Sequence, residues 1–232
     1  MKMTIKSLIA GAVVSLVAVA IPGAANAIVC GDTAANTLAL VEALGSCTVA
    51  NKTFSAFSYS GDATGVTNPA NVGVAAVGAT TSNPGLQFNA AWSAPPGGGH
   101  TDATLGFSVA ENPGSTSLIN DASLTLSGLS VPPGGSVTDT ETLTFPNGTT
   151  LPFTVTDTNP GPLTVNFTPV SSLSVIDDLA LTPGTTLTTL ASIQQKTFSE
   201  TAVPPVPEPA SLAILGVSLL GMGVAYRRRF RK

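Results

Sequence analysis

The side chains able to do chemistry are few: one histidine, scattered carboxylates and two cysteines. His100 lies in "PPGGGHTDATLGF", two residues before Asp102. A serine triad would have to use this imidazole as its base, with a carboxylate to orient it. No G-x-S-x-G elbow, P-loop, H-E-x-x-H or G-x-G-x-x-G accompanies it. With no nucleophile in a local signature, the segment reads as a solvated glycine-rich loop entering a strand. No catalytic residue is assigned.

The acid pairs are the next candidates. Asp139 and Glu141, two apart on a strand, point to one face, whereas Asp177 and Asp178 point to opposite faces. Glycoside hydrolysis needs two carboxylates across a sugar cleft, and one Trp and two Tyr leave little material for aromatic platforms. Calcium takes several oxygen ligands, but no D-x-[DN]-x-[DN]-G loop is present. The acids therefore read as solubilising surface, with no metal ligand and no cofactor assigned. Cys30 and Cys47, an even count just inside an exported segment, read as a disulfide.

Export is read from the N-terminus. Lys2 and Lys6 precede an apolar run from Leu8 to Ile21, and Ala25-Asn26-Ala27 supplies a small-x-small cleavage pattern. Residues 1–27 are expected to be a signal peptide, cut after Ala27. Beyond it only Lys52 and Lys196 remain before Pro209, against thirteen carboxylates, a net charge of −11 rather than the −4 of the whole chain. Nucleic-acid binding relies on Lys and Arg neutralising phosphates, so nucleic acid is excluded as a partner.

The elements that would position these residues follow from periodicity. "TLGFSV", "ASLTLSGLSV", "TETLTF", "LPFTVT", "LTVNFT" and "LSVIDDLAL" alternate apolar with Thr, Ser or Asp, the signature of half-buried strands. "NPG", "PPGG", "PNG" and "TPG" punctuate them with turn chemistry. The expected fold of residues 28–201 is all-β: an antiparallel two-sheet sandwich, of which the jelly-roll is one form. One short N-terminal helix is expected in "DTAANTLALVEALG", with Asp32 or Thr33 as N-cap and Gly45 as stop. Leu38, Val41 and Leu44 would share its buried face, and the disulfide would clip it to the strand "KTFSAFSYS".

The C-terminus has three parts. A proline-rich linker over residues 202–209 contains Pro207-Glu208-Pro209. An uncharged 17-residue run at 210–226 follows; as a helix it would be about 25 Å long, just enough for a hydrocarbon core of about 30 Å. Arg227, Arg228, Arg229, Arg231 and Lys232, in the stretch 227–232, form a cytoplasmic basic anchor by the positive-inside rule.

This order of Pro-Glu-Pro, glycine-punctuated helix and arginine cluster resembles the PEP-CTERM sorting signal. The resemblance implies that the protein is a substrate of an exosortase, a transpeptidase-like membrane enzyme of Gram-negative bacteria that make extracellular polysaccharide. Pro207, Glu208 and Pro209 would then be recognition residues. The segments "CTVANKTFSAFSYS", "GLQFNAAW" and "QKTFSE" resemble a recurring exported domain of such proteins. The expectation is a non-enzymatic protein held transiently in the inner membrane, then displayed at the cell surface or released. It would serve a structural or adhesive role in exopolysaccharide or biofilm matrix. A carbohydrate- or calcium-binding module and an extracellular hydrolase are the alternatives.

Overall fold

Alternation along the chain becomes strands wherever one face can be buried. The structure, a computed structural model, describes residues 28–62 and 66–202. The first elements are helix α1 (Leu38–Leu44) and strands β1 (Ser46–Val49), β2 (Lys52–Gly61), β3 (Gly73–Val77) and β4 (Gly85–Ala94). Next come β5 (Thr101–Glu111), β6 (Ser117–Ser127), β7 (Ser136–Thr144) and β8 (Thr150–Thr156). The last are β9 (Leu163–Val170), β10 (Ser172–Thr182), β11 (Thr189–Thr197) and β12 (Glu200–Ala202).

These strands form two antiparallel six-stranded sheets, so the all-β sandwich expected from the pattern is the fold. The first sheet runs β1-β2-β5-β10-β7-β8. In the second, β11 lies between β4 and β6, and β3 borders β4. β12 continues the line of β11 along β6, while β9 pairs with the opposite edge of β6. Each of the six patterned segments falls within or overlaps a strand: β5, β6, β7, β8, β9 and β10.

The core between the sheets centres on Phe107, whose ring meets those of Phe54, Phe57, Phe88 and Phe198 at centroid distances of 5.9–6.2 Å. Each such side chain contributes about 1.5–3 kcal/mol by leaving water. Trp92 is buried beside them; its Nε1–H donates to Tyr59 Oη at 3.1 Å, and that hydroxyl donates to the Val66 carbonyl at 2.8 Å. Both polar tips of these aromatic side chains are thereby satisfied.

The turns carry the expected chemistry. In the β7–β8 hairpin the Phe145 and Thr149 backbones pair across "PNG", and Gly148 takes φ +81°. A residue with a Cβ would be strained there.

The helix differs from expectation. It begins at Leu38, capped by Thr37, whose side chain accepts from the Leu40 amide. Residues from Asp32 instead form a turn in which the Ala35 amide donates to the Asp32 carbonyl. Sheet-edge pairing explains the late start: Thr37 bridges to Gly73, and the Leu38 amide donates to the Val72 carbonyl. Leu38 and Val41 are buried, but Leu44 is exposed. Gly45 does end the helix, in a left-handed conformation.

Cys30 and Cys47 are joined, with Cα atoms 5.0 Å apart. Cys47 lies on β1, so the bridge ties the segment before α1 to β1 rather than to the "KTFSAFSYS" strand, β2. β1 is too short and too polar to have stood out by alternation.

Candidate functional site

His100 and Asp102 do meet: His100 Nε2 is 3.2 Å from Asp102 Oδ1, and both side chains are about half exposed. The other ring nitrogen, Nδ1, contacts Thr182 Oγ1 at 3.2 Å. Both nitrogens are engaged at the rim of the sandwich, by Asp102 and Thr182. The arrangement is that of a solvated loop.

The acids expected at the surface are elsewhere. Asp139 and Glu141 alternate in phase with Val137 and Leu143 on β7, and all four side chains are buried. On β10, Asp177 is in phase with Val175 and Leu179 and is also buried, while Asp178 faces outward. The register sets Asp177 opposite Glu141 and Leu179 opposite Asp139. Three carboxyl groups therefore share one patch on the inner face of the first sheet. The surface reading of Asp139, Glu141 and Asp177 is corrected: strand phase places them inside, whatever their charge.

What meets them comes from the other sheet. Lys196, on β11, sends Nζ to 2.6 Å from Asp177 Oδ1 and 3.3 Å from Glu141 Oε2. Gln194, in phase with Lys196, donates from Nε2 to Asp139 Oδ2 at 3.2 Å. The lysine and the three acids are wholly inaccessible to solvent.

Burial dominates the electrostatics. It pushes Glu141 up from 4.5 to about 7, against the pull of the Lys196 charge. It pushes Asp139 well above the ordinary carboxylate range, reinforced by the charge of Asp177. For Lys196, burial favours the neutral amine, but the charges of Asp177, Asp139 and Glu141 outweigh it and hold the ammonium form. One cation among three carboxyls leaves a surplus that only protonation of the acids can relieve.

Lys52, the other lysine, is likewise buried, 2.8 Å from Glu111 Oε1 and 3.3 Å from Glu200 Oε2. Asn51 Nδ2 donates to the same two carboxylates. The described residues contain no arginine. Their outer surface therefore presents carboxylates and hydroxyls without a lysine or arginine to match them, and it repels polyanions. Among the described residues no group of three or more His, Cys, Asp or Glu side chains is placed to hold a metal.

The surface of the described residues includes two grooves of note. One, of about 400 Å³, is lined by Phe145, Pro146, Asn147, Thr149, Phe167, Thr168 and Val170, with the two phenylalanine rings 5.0 Å apart. The second, of about 600 Å³, is polar and runs past Asp121, Thr125, Thr164, Gln195 and Thr197. The outer face of the first sheet is rich in hydroxyls. Thr140 pairs with Thr154 and Ser108 with Ser174, each at 3.0 Å.

The sequence reading missed Lys196 and Gln194, because "LASIQQKT" looks polar and a bulge between Ala191 and Ile193 interrupts its alternation. The signal that could have exposed the acids was phase. The residues assigned to sorting and processing (Ala25, Ala27, Pro207, Glu208, Pro209, Arg227, Arg228, Arg229, Arg231 and Lys232), with the leader and the 210–226 run, lie outside the described residues.

Comparison with known proteins addresses that C-terminal segment directly. Residues 205–229 match the PEP-CTERM protein-sorting motif. The chain carries this motif, which implies export and exosortase processing. No curated protein is similar enough to count as a match. Among solved structures, the chain is similar to one described as TmCBM61 in complex with beta-1,4-galactotriose. The likeness has 11% identity, a TM-score of 0.34, and coverage of 63% of this chain and 88% of that one.

Proposed function

We propose that this is a non-enzymatic matrix protein: exported, sorted through its C-terminal motif, and displayed at the cell surface or released into exopolysaccharide. The observation that carries the reading is the sorting motif at 205–229, joined to an exported-type domain with its disulfide. Its surface supports a structural or adhesive role. Carboxylates and paired hydroxyls keep the domain hydrated and offer hydrogen bonds to sugar hydroxyls along the outer sheet face. In the transient membrane-held state the 210–226 run spans the inner membrane and the basic tail stays cytoplasmic.

The test is genetic. Deleting the host exosortase, or changing Glu208→Ala, should leave full-length protein in the membrane fraction and deplete the extracellular form. Unchanged release in both strains contradicts sorting by this route.

The Phe145–Phe167 groove favours a second reading, a carbohydrate-binding module, since an aromatic pair flanked by Asn147 and Thr149 suits the apolar face and hydroxyls of a sugar. Loss of retention on host polysaccharide in Phe167→Ala protein would favour it over a purely structural role.

A further inference from the structure

Stability alone gives no reason for the cluster between the sheets. A buried ion pair is often no better than apolar packing of the same volume, and here one cation faces three carboxyls. The 2.6 Å approach of Lys196 Nζ to Asp177 Oδ1 is not aligned as a hydrogen bond. Lys196 Nζ is in ion-pair range of Asp177 Oδ1 and Glu141 Oε2, but none of these buried atoms makes a contact of full hydrogen-bond geometry. Buried polar atoms without well-aligned hydrogen bonds leave part of their desolvation cost uncompensated. An amine nitrogen is thus held in contact with a carboxyl group, in a dry interior, beside a second carboxyl able to carry protons. Those are the requirements for condensation: proximity, excluded water and a proton relay.

We propose that Lys196 and Asp177 condense spontaneously into an intramolecular amide, with Glu141 relaying the protons. The Lys196 nitrogen forms its new bond to Cγ of Asp177, and the bond from Cγ to one carboxylate oxygen breaks. The ammonium gives up two protons, passed through Glu141 to the departing oxygen, which leaves as water. Glu141 ends as it began. The ammonium and carboxylate charges disappear together, so the reaction balances without oxidant, reductant or metal.

Forming the free amine works against the carboxylate charges that hold Lys196 as ammonium. Desolvation pulls the other way, because proton transfer from ammonium to carboxylate replaces two buried charges by two neutral groups. Glu141, poised near 7, can act as acid or base at neutral pH. The product amide needs only hydrogen-bond partners, where the ion pair needed solvation, and the closed core withholds the water that would reverse it.

The bond would join β10 in the first sheet to β11 in the second. β11 runs through Phe198 and Ser199 into β12, the last described strand before the sorting segment. Tension on the C-terminal end would therefore meet a covalent link between the sheets rather than side-chain packing alone.

Mass spectrometry of the folded full-length chain tests this. Native protein should be lighter than its sequence by one water, beyond the hydrogens lost at the disulfide. Digestion should yield one branched peptide that joins the Asp177 and Lys196 segments. Glu141→Gln protein, shown to be folded by circular dichroism, should keep the water and give only linear peptides. Linear peptides from folded wild-type protein overturn the bond; a branched peptide from Glu141→Gln protein overturns the relay.

Discussion

Glu141 shows how one side chain can couple the core to pH. Its ordinary pKa is 4.5 and burial raises it to about 7. Between those values the folded protein holds a proton that the unfolded chain has released. The group's stabilising contribution is therefore complete below about pH 4.5 and lost as pH rises through 7. A shift of that size corresponds to about 3 kcal/mol. Desolvation, the largest cause, acts whether Lys196 is an amine or an amide. Urea unfolding between pH 4.5 and 7.5 should show wild-type stability falling more steeply with pH than that of Glu141→Gln; parallel slopes would contradict the assignment. Asp139 adds to the fall in both proteins, so the difference in slope is the quantity to compare. At this scale the sequence was half legible. Alternation places Asp139 and Glu141 on one face and Asp177 and Asp178 on opposite faces, but charge alone does not tell which face is wet. The phase of Val137 and Leu143 decides it instead.

At the scale of elements, alternation and turn residues located β5 to β10 because each is long and has one clearly apolar face. β11 escaped, since its inward positions include Gln194 and Lys196 and its bulge breaks the period. The helix was found but placed too early, because pairing of Thr37 and Leu38 with the β3 edge competes with helical hydrogen bonding. The disulfide fixes this corner by closing a loop with a sequence separation of 17. Replacing Cys30→Ser and Cys47→Ser together should lower unfolding stability by about 3 kcal/mol on the chain-entropy relation. Circular dichroism should show the same strand content, because the sheets meet through the Phe107 cluster and not through this corner. A loss of the sandwich itself would mean that the bridge directs folding.

Across the whole molecule, charge is divided along the chain. The lysines of the described domain are buried and ion-paired, its outer surface is acidic, and the remaining basic residues lie within residues 1–27 or 227–232. That division suits the proposed function, in which both ends act as addresses and the middle stays hydrated among polysaccharides. On the proposed route the C-terminal address is read and removed. Intact-mass analysis of extracellular protein from the native host tests it most directly. The mass should correspond to a chain that starts at Ile28 and stops at or near Pro207-Glu208-Pro209, without the residues from about Ala210 onward. An extracellular form that still carries Arg227 to Lys232 would contradict it and leave the tail a permanent anchor.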